Sequence, residues 1–103
     1  MRKAKVFNFG IYAGELEEIE KGKKYQFNYA DDYSGSPISL TLPIKQKEYF
    51  FDEFPPFFEG LLPEGMMLEA LLRKYKIDRN DYFRQLITVG HDLVGAVTVE
   101  ELE

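Results

Sequence analysis

Apolar and polar residues alternate with a period of two through much of the first half of the chain. Tyr25, Phe27 and Tyr29 are separated by Gln26 and Asn28, and Ile38, Leu40 and Leu42 by Ser39 and Thr41. That is the spacing of strands with one buried face. Val6 to Phe9 and Ile11 to Ile19 are apolar-rich, and Gly10 and Gly14 suit a tight turn or a bulge between short strands. Lys21-Gly22-Lys23-Lys24 reads as a solvated hairpin tip, and the turn formers from Asp31 to Pro37 separate two of the strands. The expected arrangement is a meander of antiparallel strands.

Beyond Pro43 the period lengthens. Pro55-Pro56 excludes strand pairing but suits the first turn of a helix, so Phe57 to Leu62 predicts one short helical turn closed by Gly60 or Pro63. Leu68, Leu71, Leu72 and Tyr75 fall at i, i+3, i+4 and i+7, one face of a longer helix. Glu64 near its start and Arg73, Lys74 and Lys76 near its end agree with the macrodipole. Asp78 is expected to cap the next helix, with Asp81 in its first turn and Phe83, Leu86 and Ile87 facing inward. Gly90 is expected to end that helix in a left-handed conformation, and Ala96 to Val99 predicts a last short strand. Strands first and helices afterwards indicate an α+β fold. The expectation is a small antiparallel sheet or partly open barrel packed with two to three short helices. Residues 1–103 read as a single domain, without linker or repeat.

Composition narrows the function. The chain has no cysteine and one histidine, so neither disulfides nor an ordinary zinc shell is expected. No apolar run approaches the roughly 20 residues that span a bilayer, and nothing after Met1 has the form of a secretory leader. A cytoplasmic protein is expected. With 18 acidic residues against 13 basic ones the net charge is −5, which disfavours direct contact with a phosphate backbone. Arg2-Lys3-Ala4-Lys5 and the Lys21–Lys24 turn are its positive clusters.

Candidate catalytic residues are few. Gly60-Leu-Leu-Pro-Glu-Gly65 has the GxxxxG spacing of a phosphate loop, but Met66 and Met67 stand where lysine and a hydroxyl residue are needed. Pro63 also removes an amide from any cradle. His91 sits beside a predicted helix end, and Ser34, Ser36 and Ser39 lie in or next to a turn without a nucleophile-elbow pattern. Asp31-Asp32 and Asp52-Glu53 lack the spacing of a calcium loop and read as solvated loops. No catalytic residue, metal ligand or cofactor is expected. The aromatic and aliphatic run from Phe50 to Leu72 mostly suits a core. Met66 is different, because on the helical wheel it groups with Glu69, Ala70 and Arg73, opposite the leucine face. An exposed methionine anchor and a helix packed on both sides both remain open readings.

Several ordered motifs carry a family resemblance. Tyr12-Ala13-Gly14-Glu15-Leu16, Tyr25 to Tyr29, Pro37 to Pro43 and above all Pro56-Phe57-Phe58-Glu59-Gly60-Leu61-Leu62-Pro63-Glu64-Gly65 resemble the HipA N-terminal domain family. Asp81-Tyr82-Phe83 and Gly90 to Val97 complete the resemblance, which runs from about residue 4 to 100. It implies a non-catalytic unit that in HipA-type serine/threonine kinases precedes the catalytic body. A free-standing copy looks like HipS, the antitoxin of tripartite systems in which a shortened kinase, HipT, lacks this unit and HipB binds DNA. The implied partner is a HipT- or HipA-like kinase, with a HipB-like protein in a possible ternary complex; neither nucleic acid nor membrane is implied. The expected partner-binding residues are Phe58, Glu59, Leu62, Pro63, Glu64, Gly65, Met66 and Met67, with the two methionines where a larger aromatic anchor is expected. Neutralising the kinase and merely completing it both fit the resemblance.

Overall fold

Inward-facing side chains along the strands set the architecture. In the computed structural model, which describes residues 1–93 and 95–102, the strands are β1 (Arg2–Asn8), β2 (Ile11–Glu20), β3 (Lys24–Tyr29), β4 (Glu48–Phe51) and β5 (Val97–Leu102). Among these residues they form one open antiparallel sheet in the order β4-β3-β2-β1-β5. Ala4 pairs with Leu16, Leu16 with Phe27 and Val6 with Val99, so one face becomes a continuous apolar floor. All five of these residues are fully buried.

Helices α1 (Pro56–Glu59) and α3 (Tyr82–Val89) supply the side chains that cover this floor, whereas α2 (Gly65–Tyr75) lies at its margin. Phe58 of α1 meets Phe27 at 5.8 Å between ring centroids, and Phe54 meets Tyr25 edge-on at 5.3 Å. Phe83 and Leu86 of α3 are fully buried. Each such side chain contributes about 2–3 kcal/mol through removal from water. None of the α2 residues joins this central core among the described residues, although Leu71 is itself buried. The α+β class, the open sheet and the final strand agree with the sequence reading.

The interior differs from that reading at three places. Ile38 to Leu42 is not a strand: Ile38 and Leu42 point inward, but Leu40 is 98% exposed and the segment is a chain of turns. The buried Tyr29 hydroxyl takes the role of a neighbouring strand, accepting from the Ile38 amide at 3.0 Å and donating to the Leu42 carbonyl at 2.5 Å. The fourth strand is β4 instead. Next, Asp81 rather than Asp78 caps α3, accepting from the Arg84 amide at 3.1 Å, while Asp78 closes the preceding turn on Asn80 at 2.8 Å.

Gly90 is the third difference. It has right-handed angles (φ −53°, ψ −27°), so its lack of a side chain serves proximity rather than conformation. A Cβ there would overlap the Val99 carbonyl, and the Val99 amide donates to the Gly90 carbonyl at 2.9 Å. The helix end therefore sits directly on β5. Gly14 agrees with the bulge reading: it lies within β2 beside a bulge that leaves Ala13 without a partner in β1 between the Val6–Gly14 and Phe7–Tyr12 pairs. The turn belongs to Gly10 alone.

Candidate interaction surface

The segment from Pro55 to Met67 is shaped by its prolines and by its own amides. Pro55 and Pro56 start α1, after which the amides of Glu59, Gly60, Leu61 and Leu62 donate to the carbonyls of Pro55, Pro56, Phe58 and Glu59 at 3.0–3.1 Å. Pro63 has no amide to offer. The Gly60–Gly65 segment thus has its early amides committed internally, and the lysine and hydroxyl side chains of a phosphate loop are replaced by Met66 and Met67. Gly65, at φ +59°, then turns the chain into α2.

This geometry divides the eight partner-binding residues expected from sequence. Phe58 is fully buried on Phe27 and Phe57 and anchors the segment from beneath, which removes it from any contact surface. Leu62 and Pro63 are half-buried, whereas Glu59, Glu64 and Gly65 are exposed. Met66 and Met67 are 89% and 74% exposed at the first turn of α2. The open question about Met66 is thereby answered: it faces solvent. Beside it, between α2, the Gly60–Pro63 turn and the end of α3, lies an apolar groove of about 640 Å³. Leu61, Leu62, Met67, Leu71, Val89 and Leu93 contribute to its lining. Its signal in the sequence is the i, i+3, i+4, i+7 series Met67, Ala70, Leu71 and Lys74, one step round the helix from the leucine series.

The opposite end of α3 carries a charge cluster that the sequence did not indicate. Arg2 donates from Nε and Nη2 to the two Glu18 oxygens at 2.7 and 2.8 Å, and from Nη2 and Nη1 to the two Asp81 oxygens at 2.9 and 3.1 Å. Its guanidinium also stacks over the Phe83 ring at 5.1 Å. Glu18, only 4% exposed, further accepts from the Tyr25 hydroxyl at 3.1 Å and the Gly22 amide at 3.2 Å. Burial pushes the Glu18 carboxyl up, but the donors from Arg2, Gly22 and Tyr25 outweigh it and hold it below the ordinary range. Asp81 follows the same pattern, with burial opposed by Arg2 and the Arg84 amide. Burial, then the Glu18 charge, pushes the Tyr25 phenol up to about 12. With four of the five Arg2 N–H groups engaged, the cluster is a clamp between the sheet and α3.

His91 and the acidic pairs Asp31-Asp32 and Asp52-Glu53 are exposed. Among the described residues no group of three or more histidine and carboxylate side chains is placed to hold a metal ion. None of their helices is long and apolar enough to cross a membrane.

Residues 4–100 match the HipA N-terminal domain. The chain belongs to that family. In three dimensions it superposes on the N-terminal domain of HipA toxin with a TM-score of 0.79 and 36% identity, over 100% of this chain and 94% of that one. An uncharacterised protein of Haemophilus influenzae is 38% identical across 98% of this chain and 93% of its own length. Y4dM, a candidate kinase of Sinorhizobium fredii, is 31% identical across 92% of this chain, which spans 25% of that relative. This HipA N-terminal domain therefore has similar proteins of two kinds, one of nearly its own size and one about four times longer. Val94, within the Gly90–Val97 motif, and Glu103 lie outside the described residues.

Proposed function

We propose that this HipA N-terminal domain is a non-enzymatic binding module that docks on a HipA-like serine/threonine kinase lacking such a unit and neutralises it, as an antitoxin in the bacterial cytoplasm. The observation that carries the reading is the exposed Met66-Met67 pair at the start of α2, beside an apolar groove. Two flexible, polarisable thioether side chains in water, next to an apolar surface, are well suited to a partner pocket. Inhibition follows if docking favours an inactive arrangement of the kinase, because a ligand shifts an equilibrium by its differential affinity for the two states. Residues 1–103 act as one unit, with Glu59, Leu62, Pro63, Glu64 and Gly65 around the methionines. A HipB-like DNA-binding protein completes the assembly through the kinase.

The relation to Y4dM favours a second reading, in which the unit stabilises or completes a kinase without inhibiting it. Co-expression separates the two. A toxic kinase of this type is expressed with the wild-type protein or with a variant carrying Met66→Asp and Met67→Asp. Restored growth with wild type and its loss with the folded variant is the expected outcome. Undiminished rescue by the variant sinks the methionine anchor. Higher kinase solubility and activity, without rescue, establishes the completing role instead.

A further inference from the structure

Eight of the eleven residues of α2 are exposed, against two of the eight in α3. Leu71 is its one buried side chain, and it lies outside the central cluster that takes in Phe58 of α1 and Phe83 and Leu86 of α3. Ile77, just beyond the helix, is likewise buried outside that cluster. The backbones of α3 and β5 run close together, as do those of α1 and α3, whereas α2 has no comparably close neighbour among the described elements. On its inner side part of the space is the open groove rather than packed side chains, so the dispersion contacts of a filled core are missing there. The helix is also weakly finished. Glu64 makes no side-chain cap, the first turn holds no acidic residue, and the Leu68 amide reaches the Glu64 carbonyl only at 3.4 Å. Gly65 at its first position and Lys76 just past its last both have left-handed angles, φ +59° and +56°. The ion pair of Glu69 with Arg79 is solvent-exposed and adds little. An eleven-residue helix with so few tertiary contacts is marginal in water.

We propose that α2 is a strap with a folding equilibrium of its own: residues 63–77 detach and unwind as a unit while the sheet, α1 and α3 stay folded. The body loses little when this happens. Among the described residues, no member of the central cluster and no side chain packed against it lies within 63–77. Leu61 and Leu62 stay behind on the core, and their amides remain bonded to the Phe58 and Glu59 carbonyls. Few buried apolar contacts and a largely solvated helical backbone are the physical marks of a segment that opens below the global unfolding transition. The consequence concerns the contact surface itself. The closed strap displays Met66 and Met67 and walls the groove; the open strap does neither. Any partner that grips the closed strap binds with an affinity scaled by the closed fraction, and in binding holds the strap shut. This device belongs to the chain alone and stands whether or not the partner is a kinase.

Amide hydrogen exchange on the whole protein, read residue by residue by NMR, tests it. The amides of α2 should exchange together, roughly a hundredfold or more faster than those of β2, β3 and α3. Two truncations of buried side chains then separate a strap from an integral helix. Leu71→Ala should speed exchange along α2 by roughly tenfold or more, leave β2, β3 and α3 unchanged, and barely move the main thermal transition. Val6→Ala, in the middle of the sheet, should instead lower that transition by about 10 °C. Exchange of α2 at the rate of the sheet overturns the inference. So does a Leu71→Ala variant that lowers the main transition as far as Val6→Ala, that speeds exchange equally everywhere, or that fails to fold.

Discussion

The Phe9 backbone is in the left-handed region at φ +53°, followed by Gly10 at +79°, and the Phe9 ring is 76% exposed. A two-residue turn with both angles positive favours asparagine before glycine, and a bulky aromatic there is strained by about 1–2 kcal/mol. The exposed ring returns little of that through burial. Phe9→Asn should therefore raise the urea midpoint, equivalent to about 0.5–1 kcal/mol, with an unchanged slope. A decrease would show that the ring makes contacts that the isolated chain does not reveal. The Phe9-Gly10 pair marked the turn in the sequence, but only the backbone angles show that the wrong residue type fills its first position.

Elements are joined by contacts that local pattern does not contain. α3 is held to β5 by Gly90, where helix and strand backbones meet. Gly90→Ala must force the two apart, since a Cβ would overlap a carbonyl rather than a yielding side chain. Destabilisation by about 3 kcal/mol or more is expected, measured by thermal unfolding, with hydrogen exchange accelerated first in β5 and the end of α3. A substitution as mild as that on the exposed face of α2, Ala70→Ser, should cost well under 1 kcal/mol. The contrast reflects a firmly built sheet–α3 body beside a helix that contributes nothing to the central core. The stripe of α2 leucines was legible from their spacing. That only Leu71 of them is buried, with Leu68 and Leu72 half-buried, was not, because a periodic face says which side turns inward and not how much protein waits there.

Across the whole molecule, Arg2 joins residues 18 and 81 from opposite ends of the chain. Glu18 and Asp81 are held below their ordinary values, so in the folded state they bind protons less readily than in the unfolded chain. Their contribution is present above the ordinary carboxylate range, about pH 4, and is lost as pH falls through the lowered values. Tyr25 acts in the opposite sense, with its contribution complete below about pH 10 and lost as pH rises towards 12. Arg2→Ala leaves the buried Glu18 without its main partner. It should lower stability by about 2–3 kcal/mol at pH 7, somewhat less than a fully buried pair because Arg2 is partly exposed. Urea unfolding at pH 7 and pH 3 provides the check: the gap between wild type and variant should narrow at the lower pH. A constant gap would place the acid sensitivity in other carboxylates.

The sequence by itself determined the α+β class, the inward series Tyr25, Phe27 and Tyr29, the proline-started α1 and the solvated Lys21–Lys24 turn. These depend on local periodicity and backbone chemistry, which neighbouring residues carry between them. Only the tertiary structure decided that Ile38 to Leu42 is a turn satisfied by the Tyr29 hydroxyl, that Phe58 is core, and that Met66 faces water. It alone assembled the Arg2 clamp and the groove beside α2. Each of these joins residues remote in the chain or depends on how completely a face is covered. Spacing along the chain encodes the direction of a side chain, whereas its surroundings exist only once distant segments have packed.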